Sequence, residues 1–421
     1  MHTRTWFPLP SAAIVLALSL LACSIPTPPS STLPPPPPTI TPFAPPTTVP
    51  TTIPPPDTPP PSWLPAGTIA LYATGPWESP RLHAVAADGS TTDLGLDVHG
   101  SATASRTGRW IASAGGPYPA DSVVAVNLET GVTFVTPLTP DFTLYGLAFD
   151  PAETRLALME LGGSGVGDYL WAIVVVNLAD GSTTRFETTM TMGSAPPILP
   201  GNPVGWAASG DELLLDTFMP DTEGNWGGVW GVTLPPGAAA ASLDTLGRRE
   251  LVPGGGYLAP PYLSPDANHL LYLNRDFSYT PAGYEPMAYD LAVNQLWAVD
   301  LASGSPSSLV NVTDGGALAR AAAWSPDGAQ TLFAQGNYGG DAFASLTLKV
   351  RDSTGTVRDI GPAPLPPGGG LRGLDWCTPG TALATVTTAD YEHQLHTVDV
   401  TSGGTGLVTS ATHISVLGCV P

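Results

Sequence analysis

The side chains of this sequence that could do catalytic or metal chemistry are seven histidines and scattered carboxylates. His393 and His396 are the closest histidine pair along the chain. On a β-strand, however, an odd separation places two side chains on opposite faces, so this pair cannot bind one metal ion. No cluster of Cys and His has zinc-site spacing, and no calcium-loop motif is present. The sequence therefore predicts no metal, no cofactor and no catalytic residue.

Aromatic and acidic residues lie in long connections between apolar segments. The connections run from Leu161 to Asp168, Glu187 to Pro203, Phe218 to Gly228, Asn274 to Asp290, Gly336 to Ala342 and Pro362 to Gly370. The candidate ligand-binding residues in them are Trp226, Phe277, Tyr279, Tyr284, Tyr289, Tyr338, Asp221, Glu223, Asp276, Glu285, Asp290 and Asp341. Aromatic faces with carboxylates can stack sugar rings and bond hydroxyls, or receive a basic protein patch. The alternative is that the aromatic residues only pack the loops and the acids only solvate them.

The elements that position these loops are repeated hairpins. The segment Ala322–Gly336 has an apolar strand, a turn on Pro-Asp-Gly and a second apolar strand, and these turn residues suit the required backbone angles. Similar hairpins begin at Tyr145, Val204, Pro261 and Arg372, with a weaker copy at Thr103. Second hairpins begin at Val123, Ala172, Gln295, Leu346 and Gln394, with a looser one at Gly228.

Two hairpins make a four-stranded unit, and equivalent turns recur at roughly 42 to 61 residues, as in β-propeller blades. The first unit has only three strands, starting at Thr68, Arg81 and Ser90. The final segment, 413–421, is predicted to supply its missing innermost strand and so cover an exposed sheet edge. The fold prediction is all-β: a seven-bladed β-propeller of four-stranded antiparallel blades, closed by the C-terminal strand. The long connections all open on one face of the ring, and loops on a rigid scaffold commonly carry recognition.

The turn Trp-Ser-Pro-Asp-Gly between two apolar strands resembles the TolB-type repeat, which occurs in TolB and in the propeller domains of prolyl-oligopeptidase-like enzymes. Ser325–Gly328 and Ser264–Asp266 match the motif well, and the other copies are degenerate. The resemblance covers residues 67–421 and implies the propeller fold, but hardly any function. Because no α/β-hydrolase domain follows, we do not expect prolyl-oligopeptidase activity.

The N-terminal region resembles that of a bacterial lipoprotein. An apolar stretch from Ala12 to Ala22 is too short for a permanent membrane span and suits a signal peptide, predicted as residues 1–22. Leu20-Leu21-Ala22-Cys23 resembles a lipobox, so lipidation of Cys23 is expected to anchor the chain to a membrane. An ordinary signal peptide with a nearby cysteine is the alternative. Residues 23–66 are rich in Pro, Thr and Ser and are predicted to form a disordered stalk of up to ~130 Å.

The net charge of −21 disfavours nucleic acid as a partner, because phosphate backbones are also negative. Residues 67–421 are predicted to form one monomeric domain.

Two further cysteines, Cys377 and Cys419, fall at matching positions on innermost strands of adjacent blades. In an oxidising compartment they could form a disulfide. Two buried thiols are the alternative.

These observations support two functional hypotheses. The first is a cell-surface or envelope lipoprotein, outside the cytoplasm, whose propeller is a non-catalytic binding or scaffold module for a protein or glycan on the long-loop face. The second is a propeller enzyme, a lyase or glycoside hydrolase, that uses loop carboxylates; hydrolysis needs two acids roughly 5 to 9.5 Å apart.

Overall fold

The structure is a computed structural model that describes residues 63–76, 79–116, 120–163, 168–191, 200–218, 226–254, 261–276, 278–283, 293–339 and 342–421. Its first strands are β1 Thr68–Gly75, β2 Arg81–Ala86, β3 Thr91–Asp97, β4 His99–Ala104, β5 Trp110–Ala114, β6 Ser122–Asn127, β7 Thr133–Pro137, β8 Phe142–Phe149, β9 Arg155–Gly163, β10 Asp168–Asn177, β11 Thr183–Thr191, β12 Gly201–Trp206, β13 Glu212–Phe218 and β14 Trp226–Thr233. The remaining strands are β15 Ala241–Ser242, β16 Arg248–Pro253, β17 Tyr262–Leu263, β18 His269–Asn274, β19 Gln295–Asp300, β20 Ser305–Asn311, β21 Ala317–Trp324, β22 Thr331–Gly339, β23 Ala342–Arg351, β24 Val357–Pro362, β25 Gly370–Trp376, β26 Thr381–Thr387, β27 His393–Asp399, β28 Thr405–Ala411 and β29 His413–Cys419. A short 3₁₀ helix spans Leu243–Thr245.

The strands form seven antiparallel blades of four strands in a ring. Six blades are continuous in sequence and begin with the innermost strands β4, β8, β12, β17, β21 and β25. The remaining blade has the order β29-β1-β2-β3, so the C-terminal strand is its innermost strand. Ala70 pairs with Cys419 and Thr74 with Ile414. The predicted seven-bladed propeller, closed by its own C-terminal strand, is confirmed.

Local side-chain hydrogen bonds explain why the repeated turn forms. Ser325 Oγ donates to Asp327 Oδ1 (2.5 Å) and accepts from the backbone N–H of Gln330 (2.8 Å), while Asp327 Oδ1 accepts from the N–H of Ala329 (3.0 Å). Gly328 has a φ of 70°, a left-handed conformation that favours glycine. These bonds satisfy backbone donors that the tight turn leaves without strand partners.

The hydrophobic core lies between the blades. Buried apolar residues of the described chain form seven clusters, and each cluster joins two neighbouring blades. At the closure, for example, Tyr72 and Ile414 pack with Leu383 and Leu395 of the preceding blade. Each blade therefore depends on both neighbours for burial of its two faces.

Two connections differ from their predicted form. The predicted loop from Gly336 to Ala342 is largely strand, because β22 continues to Gly339 and β23 starts at Ala342. Trp226, predicted in a loop, is the first residue of β14. On the opposite face, where the turns are mostly short, the connection between β14 and β16 is long. It carries β15, which pairs in parallel with β11 of the preceding blade. In the described residues, no helix has the length and apolar character that a membrane span requires.

Candidate binding site at the axial mouth

Most residues of the predicted ligand-binding set lie outside the described residues. These are Phe277, Tyr284, Tyr289, Asp221, Glu223, Glu285, Asp290 and Asp341, as is the predicted lipidation site Cys23. For Trp226 the structure describes only the backbone. Tyr279, Tyr338 and Asp276 are the members whose side chains can be placed.

Tyr279 and Asp276 make local contacts in the connection that follows β18. The hydroxyl of Tyr279 donates to the carbonyl of Gly316 (2.7 Å) and accepts from the N–H of Gly315 (2.9 Å). Asp276 accepts from the hydroxyl and N–H of Ser278 (2.6 and 2.9 Å), and these bonds lower the pKa of its carboxyl. Asp276 is thus an ionised turn-forming residue rather than a group prepared to donate a proton.

Tyr338 lies within β22 and stacks on Phe343 of β23, with ring centroids 4.3 Å apart. Tyr279 therefore contacts the connection between β20 and β21, whereas the stacking partner of Tyr338 lies in its own blade. Their described contacts join segments of the protein to one another and do not form a shared cavity.

A different site forms at the centre of the ring, on the face of the short turns. There, the ends of the innermost strands from six blades surround a cavity of about 480 Å³, which we call the axial mouth. Most of the side chains that line it are aromatic or aliphatic. The lining residues used below are Arg106, Tyr262, Trp324, Asp375, Trp376 and the cysteines Cys377 and Cys419.

Asp375 is the one side-chain carboxylate among the described residues that line the axial mouth. It is the second-to-last residue of β25, at the position that Ala148, Gly205 and Ala323 occupy in other inner strands. The residue is half-buried, with part of the side chain facing the cavity, and burial raises the pKa of its carboxyl to about 7. Near neutral pH, Asp375 can therefore be a neutral hydrogen-bond donor.

Trp376 has a buried indole N–H without an acceptor, whereas the indole N–H groups of the equivalent tryptophans donate hydrogen bonds. Trp206, Trp324 and Trp376 are each the last residue of an innermost strand. Trp206 Nε1 donates to the carbonyl of Ala148, and Trp324 Nε1 to the carbonyl of Tyr262, both at 3.2 Å. Both acceptors are the second-to-last residues of the preceding blade's inner strand. Trp376 is only 6% exposed, and its Nε1 has no hydrogen-bond partner among the described residues.

Arg106 supplies positive charge at the rim of the axial mouth. It lies in the turn between β4 and β5 and is exposed. Most described cations have a carboxylate or carbonyl partner, as in the Arg109–Glu129 pair (3.1 Å). Arg106 makes no hydrogen bond or ion pair with a described residue. Its guanidinium is therefore available to an anionic ligand.

Cys377 and Cys419 form a disulfide bond at the edge of the axial mouth, with Cα atoms 4.9 Å apart. This separation is within the range that a disulfide requires. The two positions are offset by one and do not match as the sequence alignment suggested. Cys419 is the last residue of β29, whereas Cys377 follows the last residue of β25. The offset arises because each inner strand pairs with the second strand of its own blade, and that pairing sets its register.

The two strand histidines are separated as the sequence predicted. His396 Nε2 lies 3.2 Å from Gln394 Oε1, while the ring of His393 lies 6.0 Å from that of His413. Burial, with a contribution from His393, lowers the pKa of His413. Among the described residues, no group of three or more His, Cys, Asp or Glu side chains is placed to hold a metal ion.

The sequence interpretation missed the axial mouth, although one signal for it was present. A charged residue at position 375 is unusual in a buried strand, and β8, β12 and β21 have Ala148, Gly205 and Ala323 at the same position. Arg106 and Tyr262 gave no such signal, because only the closed ring brings them to the same cavity.

Comparison with known proteins supports the fold. No family model and no curated protein matches the sequence. Among solved structures, oligogalacturonate lyase from Vibrio parahaemolyticus is similar at a TM-score of 0.51 and 10% identity, over 82% of this chain and 91% of that one. A putative 6-phosphogluconolactonase from Bacteroides uniformis has a TM-score of 0.48 and 12% identity, over 83% and 99%. The propeller domain of the Trilobed protease from Pyrococcus furiosus has 0.47 and 13%, over 81% and 98%. At 10% identity, the likeness to the lyase shows a shared fold and nothing about activity.

Proposed function

We propose that this protein is a binding module displayed at a bacterial cell envelope, and that its ligand is held in the axial mouth. The observation that carries the proposal is the axial mouth itself, a cavity in which the Arg106 guanidinium and the half-buried Asp375 carboxyl have no hydrogen-bond partner among the described residues.

The location of the protein is part of the proposal and rests on sequence. Lipidation at Cys23 would hold the chain on a membrane, and the stalk of residues 23–66 would extend the propeller away from it. A binding module benefits from such reach, because its ligand lies in or beyond the envelope.

The test is binding of the full chain to an array of envelope glycans and peptides. We expect binding by the wild type to fall at least tenfold in Arg106→Gln, because a guanidinium bonded to a ligand contributes a charge-assisted hydrogen bond. The matched control is Arg248→Gln, which removes another exposed arginine without a described partner, on β16 and outside the axial mouth. If binding falls equally in both variants, or falls in neither, the axial mouth is not the ligand site.

An enzyme remains the second candidate because of one observation, the raised pKa of Asp375. A carboxyl that titrates near neutral pH can act as a general acid or base. Glycoside hydrolysis needs a second carboxylate roughly 5 to 9.5 Å away, whereas Asp375 is the one carboxylate side chain in the described lining. Mass spectrometry of array ligands after incubation separates the candidates, since cleavage that Asp375→Asn abolishes would favour the enzyme.

A further inference from the structure

We propose that strand β7, the outer edge of the blade that begins with β4, pairs with the β7 strand of a second copy of this chain. The two strands run antiparallel, with Val135 of each copy at the two-fold axis. This surface is separate from the axial mouth, so the inference does not rest on the proposed function. It follows from a comparison of the seven strands that form the rim of the ring.

Five of the seven outermost strands carry a β-bulge. The pairing of β3, β16, β20, β24 and β28 with the adjacent strand shifts in register, and each time the extra residues belong to the outermost strand. Single extra residues in four of these strands are Leu251, Leu309, Ile360 and Val408. A bulge disturbs the row of backbone groups to which another strand could bond, so these five edges are protected against pairing.

The other two outermost strands, β7 and β11, are regular. Each pairs with its neighbour without a shift in register. The edge of β11 is covered, because β15 adds to it in parallel at Phe186 and Glu187. No described segment pairs with the outer side of β7, and none of its five residues is charged. Within the described residues, β7 is therefore the one edge that lacks a bulge, a cover and a charge, which are the usual protections of an edge strand.

The hydrogen bonds at the two ends of β7 show which of its backbone groups point outward. The N–H of Asn127 donates to the carbonyl of Val132, and the N–H of Leu138 donates to the carbonyl of Asp121, both at 2.8 Å. Bonding alternates along an antiparallel ladder, and the register between these two bonds is unbroken. The even-numbered residues of β7 therefore bond to β6, and the backbone groups of the odd-numbered residues point away from the sheet.

These outward groups complement those of a second copy. They are the N–H and carbonyl groups of Thr133 and Val135, and the carbonyl of Pro137, which has no N–H. In a two-fold pair centred on Val135, the two copies of that residue exchange both backbone bonds. The N–H of Thr133 then faces the Pro137 carbonyl of the second copy. Every outward N–H is bonded in this arrangement, and the Thr133 carbonyls stay in water.

The side chains of this edge suit the same pairing. Val135 is 64% exposed, although it is a large apolar residue. In the pair it lies directly opposite Val135 of the second copy, and contacts between β-branched residues at such positions stabilise sheets. No like charges meet across the axis, because β7 is uncharged. Since the shared edge is five residues long, association is weak, and the monomer expected from the sequence is the dissociated form.

The experiment is disulfide cross-linking of the full chain in membranes of the expressing cells, followed by electrophoresis without reductant. Cross-linking traps a weak pair, and opposite Cα atoms of a bonded antiparallel pair lie about 5.5 Å apart, within disulfide range. The test variant is Val135→Cys. The matched control is Val357→Cys, at an exposed valine of the bulged outermost strand β24. We expect Val135→Cys to give about tenfold more product at twice the chain mass than the control.

A second pair of variants tests the register. Thr133 and Pro137 are exposed, so a cysteine at either position leaves the core intact. Across the two-fold axis, position 133 of one copy faces position 137 of the other. Co-expressed Thr133→Cys and Pro137→Cys chains should therefore cross-link to each other, whereas each variant alone should not.

Three results would overturn the inference. Equal yields of dimer from Val135→Cys and Val357→Cys would show that the product comes from random collision. A product of another mass, without the band at twice the chain mass, would assign the edge to a strand of a different protein. Cross-linking of Thr133→Cys to itself as readily as to Pro137→Cys would contradict the two-fold register.

Discussion

Replacement of Asp375 by asparagine should stabilise the protein at alkaline pH and leave it unchanged in acid. Burial raises the pKa of Asp375 from its ordinary value of 3.8 to about 7. The folded protein therefore holds this proton more tightly than the unfolded chain. The resulting stability is complete below pH 4 and is lost as the pH rises to 7. A rise of about three pH units corresponds to about 4 kcal/mol. Since part of the side chain faces cavity water, we expect the realised effect to be about 2–4 kcal/mol.

The assay is thermal unfolding of wild type and Asp375→Asn between pH 4 and pH 8. At about 2.1 cal/mol/K per residue, the unfolding entropy of a propeller of about 355 residues is ~0.75 kcal/mol/K, so the expected gain in Tm at pH 8 is about 3–5 °C. Asp390→Asn is the control, because Asp390 is an exposed loop residue. A difference in Tm between wild type and Asp375→Asn that stays constant from pH 4 to pH 8 would refute the account of this carboxyl.

Three further predictions concern the turn, the closure and the anchor. Gly328→Ala should lower the free energy of unfolding by about 1–2 kcal/mol in denaturant titrations, because a φ of 70° disfavours any residue with a Cβ. The added methyl meets no atom within 4 Å, so this loss comes from the backbone angle alone. Gly380→Ala is the control, because it also adds a methyl in open space but at a φ outside the left-handed region. The free energy of unfolding should stay the same in this variant, and equal effects of the two substitutions would contradict the argument. The double variant Cys377→Ser/Cys419→Ser should lose about 3–4 kcal/mol and melt about 5 °C lower than wild type, because the bond closes a loop with a sequence separation of 42; an unchanged Tm would show that the disulfide does not stabilise the ring. Radiolabelled palmitate should label wild type but not Cys23→Ala, and equal labelling would end the lipoprotein prediction.

The blades could be predicted from sequence because their determinants are local. The Ser325 and Asp327 side chains bond to backbone within the same turn, so the turn chemistry can be read from consecutive residues. The closure was also predictable, because the first blade has only three strands at the start of the domain and one strand remains at the C-terminus. Pairing of that last strand with the first blade gives the blade its fourth strand.

The axial mouth could not be predicted in the same way. Its lining comes from six blades. Arg106 reaches the cavity of Asp375 only because the ring closes, since the two residues have a sequence separation of 269. The bonding of Trp324 and the lack of a partner for Trp376 depend on how neighbouring blades pack, which the repeat pattern leaves undetermined. The long-loop face stays a prediction, since most of its candidate residues lie outside those that the structure describes.

The most direct test of the account is a crystal structure of the full chain, grown at pH 6 with the tightest-binding array ligand. We predict ligand density in the axial mouth, with a ligand atom within hydrogen-bond distance of the Arg106 guanidinium. Density for the ligand on the long-loop face, with the axial mouth unchanged from the free protein, would contradict the account.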